Sequence, residues 1–294
     1  MESVRIRKAL SDDIPTMIML SSKARCNSYK FRGLSQPDFS LDKADNFAFV
    51  AESRRILVGC IMVESPSVFD SNEAEITILA VSSRESNLEE NLIEAAEENV
   101  RVANVSIRVR SDDEMAGWLA SRGYAVEPGF WHFVASLAVL PKEPVAEHVQ
   151  IRSMKKSERG EVIDAVNAAY GKRRLTQDHF SRWRRQDPQF NEDWVLVAIL
   201  DEKIVGVLCL REDLQYSQVS GKRRGYMGPA ATLPQYRSHG IGRALNWHGM
   251  QFLKAHGMDE ASLYTEENNI PVHRLVSDLG YEHRHIWKRF KKTL

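Results

Sequence analysis

The sequence has few cysteines, no long apolar run and no net charge. Its three cysteines, Cys26, Cys60 and Cys209, are an odd number without CxxC or Cys/His ligand spacing. That pattern argues against a disulfide framework and against a zinc site, so no metal ligand is assigned. No run of about 18 apolar residues occurs, and the opening MESVRIRKALSDDI lacks the apolar core of a signal peptide. Neither membrane spanning nor secretion is expected, and a reducing cytoplasm fits the cysteine usage best. The 40 basic and 40 acidic residues cancel overall, but Lys+Arg against Asp+Glu is 16 to 22 up to residue 145 and 24 to 18 beyond it. The halves therefore carry −6 and +6. An anionic ligand is expected on the second half, the plain alternative being drift between two solvated surfaces.

At 294 residues the chain has room for two ordinary domains, and it reads as one pattern written twice. FAFVAESRRILVGCIMVE (47–64) and WVLVAILDEKIVGVLCLRE (194–212) are each two apolar runs about a polar turn, the signature of a β-hairpin. VRIRKA (4–9) and VQIRSM (149–154) alternate as strands ahead of helical periodicity, and WLASRGY (118–124) and LVSDLGY (275–281) read as helices stopped by glycine. The proline-bearing LPKEPVAEH (140–148) is the expected linker. The fold class is therefore α+β, two tandem domains over 1–141 and 148–294, each a mixed, mostly antiparallel sheet flanked by helices.

The chemistry concentrates in TLPQYRSHGIGRALNWH (232–248), where a strand becomes a helix through two glycines and two arginines. Gly240 and Gly242 let backbone N–H groups approach an anion, Arg237 and Arg243 add charge, and a helix starting near Ile241 turns its positive end to the same place. The apolar positions Ile241, Ala244, Leu245, Phe252 and Ala255 give that helix its face, and Gly257 ends it. Leu245 stands where a dinucleotide fingerprint has Gly or Ala, and the Gly-Lys-Ser/Thr of a P-loop is missing.

Residues 150–290 resemble the GNAT superfamily of N-acetyltransferases, whose Arg/Gln-x-x-Gly-x-Gly/Ala signature is matched by Arg237, Gly240 and Gly242. NIPVHRLVSDLGY (269–281) resembles the family's later Asn-x-Pro-Ala-x-x-Leu-Tyr-x-x-x-Gly-Phe block through Asn269, Pro271, Leu275, Gly280 and Tyr281. The resemblance implies acetyl-CoA as co-substrate, its pantetheine arm lying in a gap between strands at Ala230–Leu233 and Ala261–Tyr264. It implies that backbone groups at Leu233 and Gln235 pair with the arm, that Arg237, Ser238, His239, Gly240, Ile241, Gly242, Arg243 and Ala244 hold the pyrophosphate, and that Asn269 reaches the arm. The implied activity is acetyl transfer to a primary amine, on a small molecule or a peptide, by direct attack. The tandem arrangement is similar to that of mycothiol synthases, and TLPQYRSHG is locally similar to glycine N-acyltransferases, which keeps larger acyl groups open.

The chain departs from the family pattern in three places. Val276 occupies the position of the family's tyrosine, and the strand RRGYMGPAATL (223–233) carries no glutamate to act as base. Tyr226, Glu212 and Glu267 are the candidates that remain for proton transfer, with Tyr264, Glu266 and His273 behind them. In the first half, aligning Arg84 with Arg237 puts Asn87 and Glu89 at the glycine positions. That half is expected to keep the fold without the cofactor. The basic clusters GKRRL, RWRR, GKRR and WKRFKK allow an RNA-associated reading, and a non-catalytic acyl-CoA-binding protein is the other alternative. A solvated basic face that attracts the cofactor is preferred to nucleic acid binding, and the aromatic residues Tyr170, Phe180, Trp183 and Trp194 bias the acceptor pocket toward an apolar portion. The sequence does not fix the acceptor or the oligomeric state.

Overall fold

The computed structural model describes residues 4–28, 39, 41, 46–65, 71–82, 87–187 and 189–294; Arg84 lies outside them. In the first half the chain forms β1 (Arg5–Lys8), a 3-10 turn at Ser11–Asp13, α1 (Ile14–Ser21), β2 (Cys26–Asn27), β3 (Phe47–Ser53), β4 (Ile56–Glu64), β5 (Glu73–Val81), α2 (Leu88–Glu97), β6 (Asn104–Arg110), α3 (Glu114–Ser121) and β7 (Ala125–Ser136). It continues with β8 (Gln150–Ser153), α4 (Arg159–Tyr170), α5 (Gln177–Gln186), β9 (Val195–Leu200), β10 (Lys203–Glu212), α6 (Leu214–Ser220), β11 (Arg224–Thr232), α7 (Ile241–Ala255), β12 (Glu260–Glu266), α8 (Ile270–Asp278) and β13 (Glu282–Thr293). No described helix is long and apolar enough to cross a membrane.

The repetition read from sequence extends to backbone angles and ion pairs. Both hairpins turn on two successive left-handed residues, Arg54 and Arg55 (φ 51° and 64°) and Asp201 and Glu202 (φ 49° and 63°). This matches the right-handed twist of the strands they join. Arg7 on β1 reaches Asp13 at 2.7 Å, and Arg152 on β8 reaches Glu158 at 2.6 Å. Each carboxylate also accepts a backbone N–H ahead of its turn, from Leu10 and Lys155. Gly123 and Gly280 close α3 and α8 at φ 86° and 81°, as glycine stops should.

Each sheet is antiparallel except at one pair. In the first, the order is β1-β3-β4-β5-β6-β13, with β5 and β6 parallel. In the second it is β8-β9-β10-β11-β12, with β11 and β12 parallel and the end of β7 beside β12. The contacts divide the described chain into one unit running to Phe130 together with His285–Leu294, and a second of Trp131–Arg284. The division thus falls inside β7 rather than in the 140–148 connector, and the last ten residues belong with the first half. There β13 pairs with β6 over seven positions, Trp287↔Arg110 to Thr293↔Asn104, and Phe290 joins the core of Ile61, Ile76, Leu92 and Ile107.

This placement also accounts for the charge asymmetry. The basic tail is neutralised by first-half acids: Arg289 and Lys291 meet the fully buried Glu73, and Lys292 meets Glu97 at 2.7 Å. In the second unit Arg223 pairs with Glu212, and Lys222 and Arg224 pair with Glu260. Two of the four basic clusters are therefore largely spent on internal ion pairs.

Candidate functional site

The site begins where β11 leaves β12. Their pairing runs from Arg224↔Glu260 to Tyr226↔Ser262, after which β11 stays with β10 alone. A bulge sits at the parting: the β10 register steps from Leu208↔Ala230 to Leu210↔Met227, so Gly228 and Pro229 both face Cys209. A bulge bends the strand that carries it, and here it accompanies the opening of the gap. Leu233 turns its N–H back to Val205 and its C=O accepts from Tyr236. By strand alternation the open edge is therefore formed by Ala230 and Thr232 rather than by Leu233. Their carbonyls accept from side chains, Ala230 from the Tyr170 hydroxyl at 3.1 Å and Thr232 from Arg237 at 3.3 Å.

The loop after β11 contains a 3-10 turn at Pro234–Tyr236, with Gln235 exposed, followed by Ser238 (φ 67°) and Gly240 (φ 78°) directly ahead of α7. The first α7 bond between backbone groups across this start runs from the Ala244 N–H to the Gly240 carbonyl. The N–H groups of Ile241, Gly242 and Arg243 thus have no helical acceptor, and Gly240 supplies no side-chain cap. A Cβ on Gly242 would meet Leu275 Cδ1 at 3.3 Å and Thr232 Oγ1 at 3.8 Å, so the glycine keeps the space between helix start and strand clear. The helix is held down by Ile241, Ala244, Leu245, Trp247, Met250 and Leu253, all buried, whereas Phe252 is half-buried and Ala255 exposed. Close seating needs Gly206 and Gly249: a Cβ on either would come within 2.8 Å of Leu245 or Leu208.

The two arginines expected to serve an anion have structural partners as well. Arg237 braces the loop against α4 through the Ala169 carbonyl at 2.8 Å, and Arg243 pairs with Asp278 on α8. His239 bonds the Arg237 carbonyl at 2.7 Å. Asn269 stands at the start of α8 with no side-chain bond to the helix. These residues, the uncapped helix start and the open β11 edge form one continuous surface suited to an extended, amide-bearing ligand with a phosphate end. A cavity of about 340 Å³, lined by Glu143, Val145, Ala244 and His248, adjoins the first turns of α7.

Tyr226, at the parting of the strands, lies 6.1 Å ring to ring from Tyr264. Burial raises both phenol pKa values, in Tyr226 against the pull of Arg211 and Arg174, so both stay protonated at neutral pH. Glu212 lies opposite Gly225, held by both nitrogens of Arg223 at 3.1 and 2.7 Å. The half-buried Glu267 follows β12. Cys209 is fully buried and its thiol is pushed up to about 12 by desolvation, as for an inert core residue. Of the aromatic residues named from sequence, Tyr170 faces the open edge, whereas Phe180, Trp183 and Trp194 are buried.

Sequence reading missed Arg211. It is 3% exposed, with Cζ 4.5 Å from the Trp183 ring and 4.9 Å from the Tyr226 ring. Nη2 donates to the Gly228 carbonyl at 3.0 Å, and Nη1 is buried without a partner among the described residues, which costs about 1–3 kcal/mol or more for a charged donor. Burial lowers its pKa to about 10, so it remains a cation at neutral pH. An arginine ending an apolar strand gives no sequence signal that its partner will be absent.

The first unit carries the same frame with the gap filled. Asn87 precedes α2 in the left-handed conformation of Gly240 (φ 69°), so the turn survives the loss of glycine. Counting back equally from the two helix starts, Leu79 stands where Thr232 does. There β2 pairs with β5, Cys26↔Leu79 and Asn27↔Ile78, and the Arg25 N–H donates to the Leu79 carbonyl. The Arg25 guanidinium lies 3.1 Å from both Glu89, at the counterpart of Gly242, and Asp113, which caps α3. The chain's own strand and ion pairs occupy the path that is open in the second unit.

A mixed sheet splayed at one parallel pair, with a glycine-started helix at its mouth, defines an acetyltransferase-type fold. Residues 161–281 match the model of the Acetyltransferase (GNAT) family. A mycothiol acetyltransferase from Thermobispora bispora is 27% identical over 157 residues, which cover 48% of this chain and 49% of that protein. The chain thus spans about half the length of that relative. A GCN5-related N-acetyltransferase from Sphaerobacter thermophilus has the same fold at 18% identity, with a TM-score of 0.73, covering 99% of this chain and 95% of the other. A tandem GNAT protein from the clavulanic acid biosynthesis pathway matches at 15% identity and a TM-score of 0.71, covering 99% and 98%.

Proposed function

We propose that the second unit transfers an acetyl group from acetyl-CoA to a primary amine of a small molecule, and that the first unit binds no cofactor. The observation that carries this reading is the open Ala230–Thr232 edge leading into the uncapped start of α7, on residues that match the GNAT family model. Acetyl-CoA supplies an activated thioester when bound. The β11 edge holds the arm, the N–H groups of 241–243 face the pyrophosphate, and Asn269 orients the arm from the side. The amine nitrogen attacks the thioester carbonyl carbon, the carbon–sulfur bond breaks, and the proton lost by nitrogen and the one gained by the thiolate are exchanged through Tyr226 or water. Tyr226 is a donor at neutral pH, Glu212 is engaged by Arg223, and Cys209 is buried, so an acyl-enzyme has no nucleophile here.

The curated relative's name indicates a small-molecule amine acceptor, and cytoplasmic placement is proposed from cysteine usage. The experiment is a screen of amines with acetyl-CoA, reading free thiol. Turnover should rise with pH as the free-amine fraction grows, with no acetyl label left on the protein. Labelled protein, or no thiol release with any amine, contradicts the reading.

A further inference from the structure

Several arginines of the second unit, among them Arg152, Arg159, Arg223 and Arg224, lie within salt-bridge distance of carboxylates. Arg174 and Arg211 have no such partner among the described residues, and each lies against a tyrosine of the gap. Arg174 Cζ lies 5.8 Å from the ring of Tyr170, whose hydroxyl bonds the open edge at Ala230. Arg211 lies beneath Tyr226 with Nη1 unpartnered among the described residues. Burial, and then the charges of Arg182, Arg174 and Arg211, pull His179 down to about 4, so the imidazole adds no charge near neutral pH. The acids acting on this cluster are the exposed Asp178, the half-buried Asp213 beside Tyr226, Glu212, which Arg223 holds, and the buried Asp187, whose Oδ1 accepts from the Gln189 N–H and which forms no ion pair with Arg211 among the described residues. A half-buried cation without a carboxylate partner beside a substrate gap, with a buried second cation behind it, forms a wall of positive charge.

We propose that this wall receives an anionic oxygen group of the acceptor, a carboxylate or phosphate carried a few bonds from the nucleophilic amine; the proposal rests on the transferase reading above. Arg174, the more accessible of the two, meets the anion directly, and Arg211 supports it from below Tyr226. The test uses the full chain with acetyl-CoA and acceptor pairs that differ in charge alone: glycine against glycinamide, glutamine against glutaminamide, and glucosamine 6-phosphate against glucosamine. The anionic member of at least one class should exceed its neutral partner by 10-fold or more in kcat/KM, through KM, the amino acid and sugar arms separating carboxylate from phosphate. Arg174→Gln should cut that preference below threefold while acetyl-CoA affinity holds. Equal rates within every pair, or a neutral preference, overturn the anion wall and leave the transferase reading standing. If no amine is acetylated, the transferase reading fails and the wall is read alone, by whether inorganic phosphate or acetate raises the melting temperature of the wild type but not of Arg174→Gln. No rise in the wild type, or an equal rise in both, overturns it.

Discussion

Gly242→Glu should reduce acetyl-CoA affinity at least 100-fold while leaving the melting temperature unchanged or raised. The Cβ has room apart from a 3.3 Å approach to Leu275 Cδ1, which a leucine terminus can yield. The α7 start gains a helix former in place of glycine and an acid near its positive end, worth together about 1 kcal/mol. Glu89 shows that this fold accepts the same residue at the counterpart position in α2. Binding suffers because the new carboxylate faces a pyrophosphate. Two unit charges about 4 Å apart repel by about 1 kcal/mol in water and by about 4 kcal/mol near a protein surface. Calorimetric titration and thermal melting should separate in this variant. Affinity within threefold of wild type would remove the phosphate assignment from the α7 start.

Removing residues 285–294 should unfold the first unit. The deletion takes away seven paired positions on β6 and Phe290 from the core. It also strips Arg289 and Lys291 from Glu73, which is 0% exposed and would be left with the Ser106 hydroxyl as its partner among the described residues. Breaking a buried ion pair from one side costs about 3–5 kcal/mol, against a total stability of about 5–15 kcal/mol for a domain. The approach of the strands is close: a Cβ on Gly129 would fall 1.7 Å from the Trp287 carbonyl oxygen, so Gly129→Val should act in the same direction. Limited proteolysis would then cut within residues 46–130 first. A truncated chain that resists protease as well as the full one would show that the last strand is dispensable.

Most of the second unit's frame was legible because its requirements are local. A left-handed turn ahead of a helix needs a residue such as Gly240, and a helix packed on a sheet needs the apolar spacing of Ile241, Ala244 and Leu245. The hairpins were legible for the same reason, as was the repetition of the two halves. What escaped depends on partners far away in the chain. The prolines at 140–148 suggest a boundary, but contacts place the division inside β7, since strand exchange leaves no mark on composition. The pairing of β2 occupies two residues, Cys26 and Asn27, too few for any periodicity. Arg211 ends an apolar strand like many paired arginines, and only the missing carboxylate distinguishes it. Arg237 and Arg243 are placed at the loop as expected, but the Ala169 carbonyl and Asp278 they also serve could not be read from spacing.

The central claim is that one gap in this chain is open and its counterpart is filled by the chain itself. Calorimetric titration of the full protein with acetyl-CoA tests it most directly. The open β11 edge and the uncapped α7 start predict about one site per chain, unchanged by Arg25→Ala, because β2 would still pair with β5 at Leu79 and Ile78. Two equivalent sites, or no binding heat at any temperature tried, would contradict it.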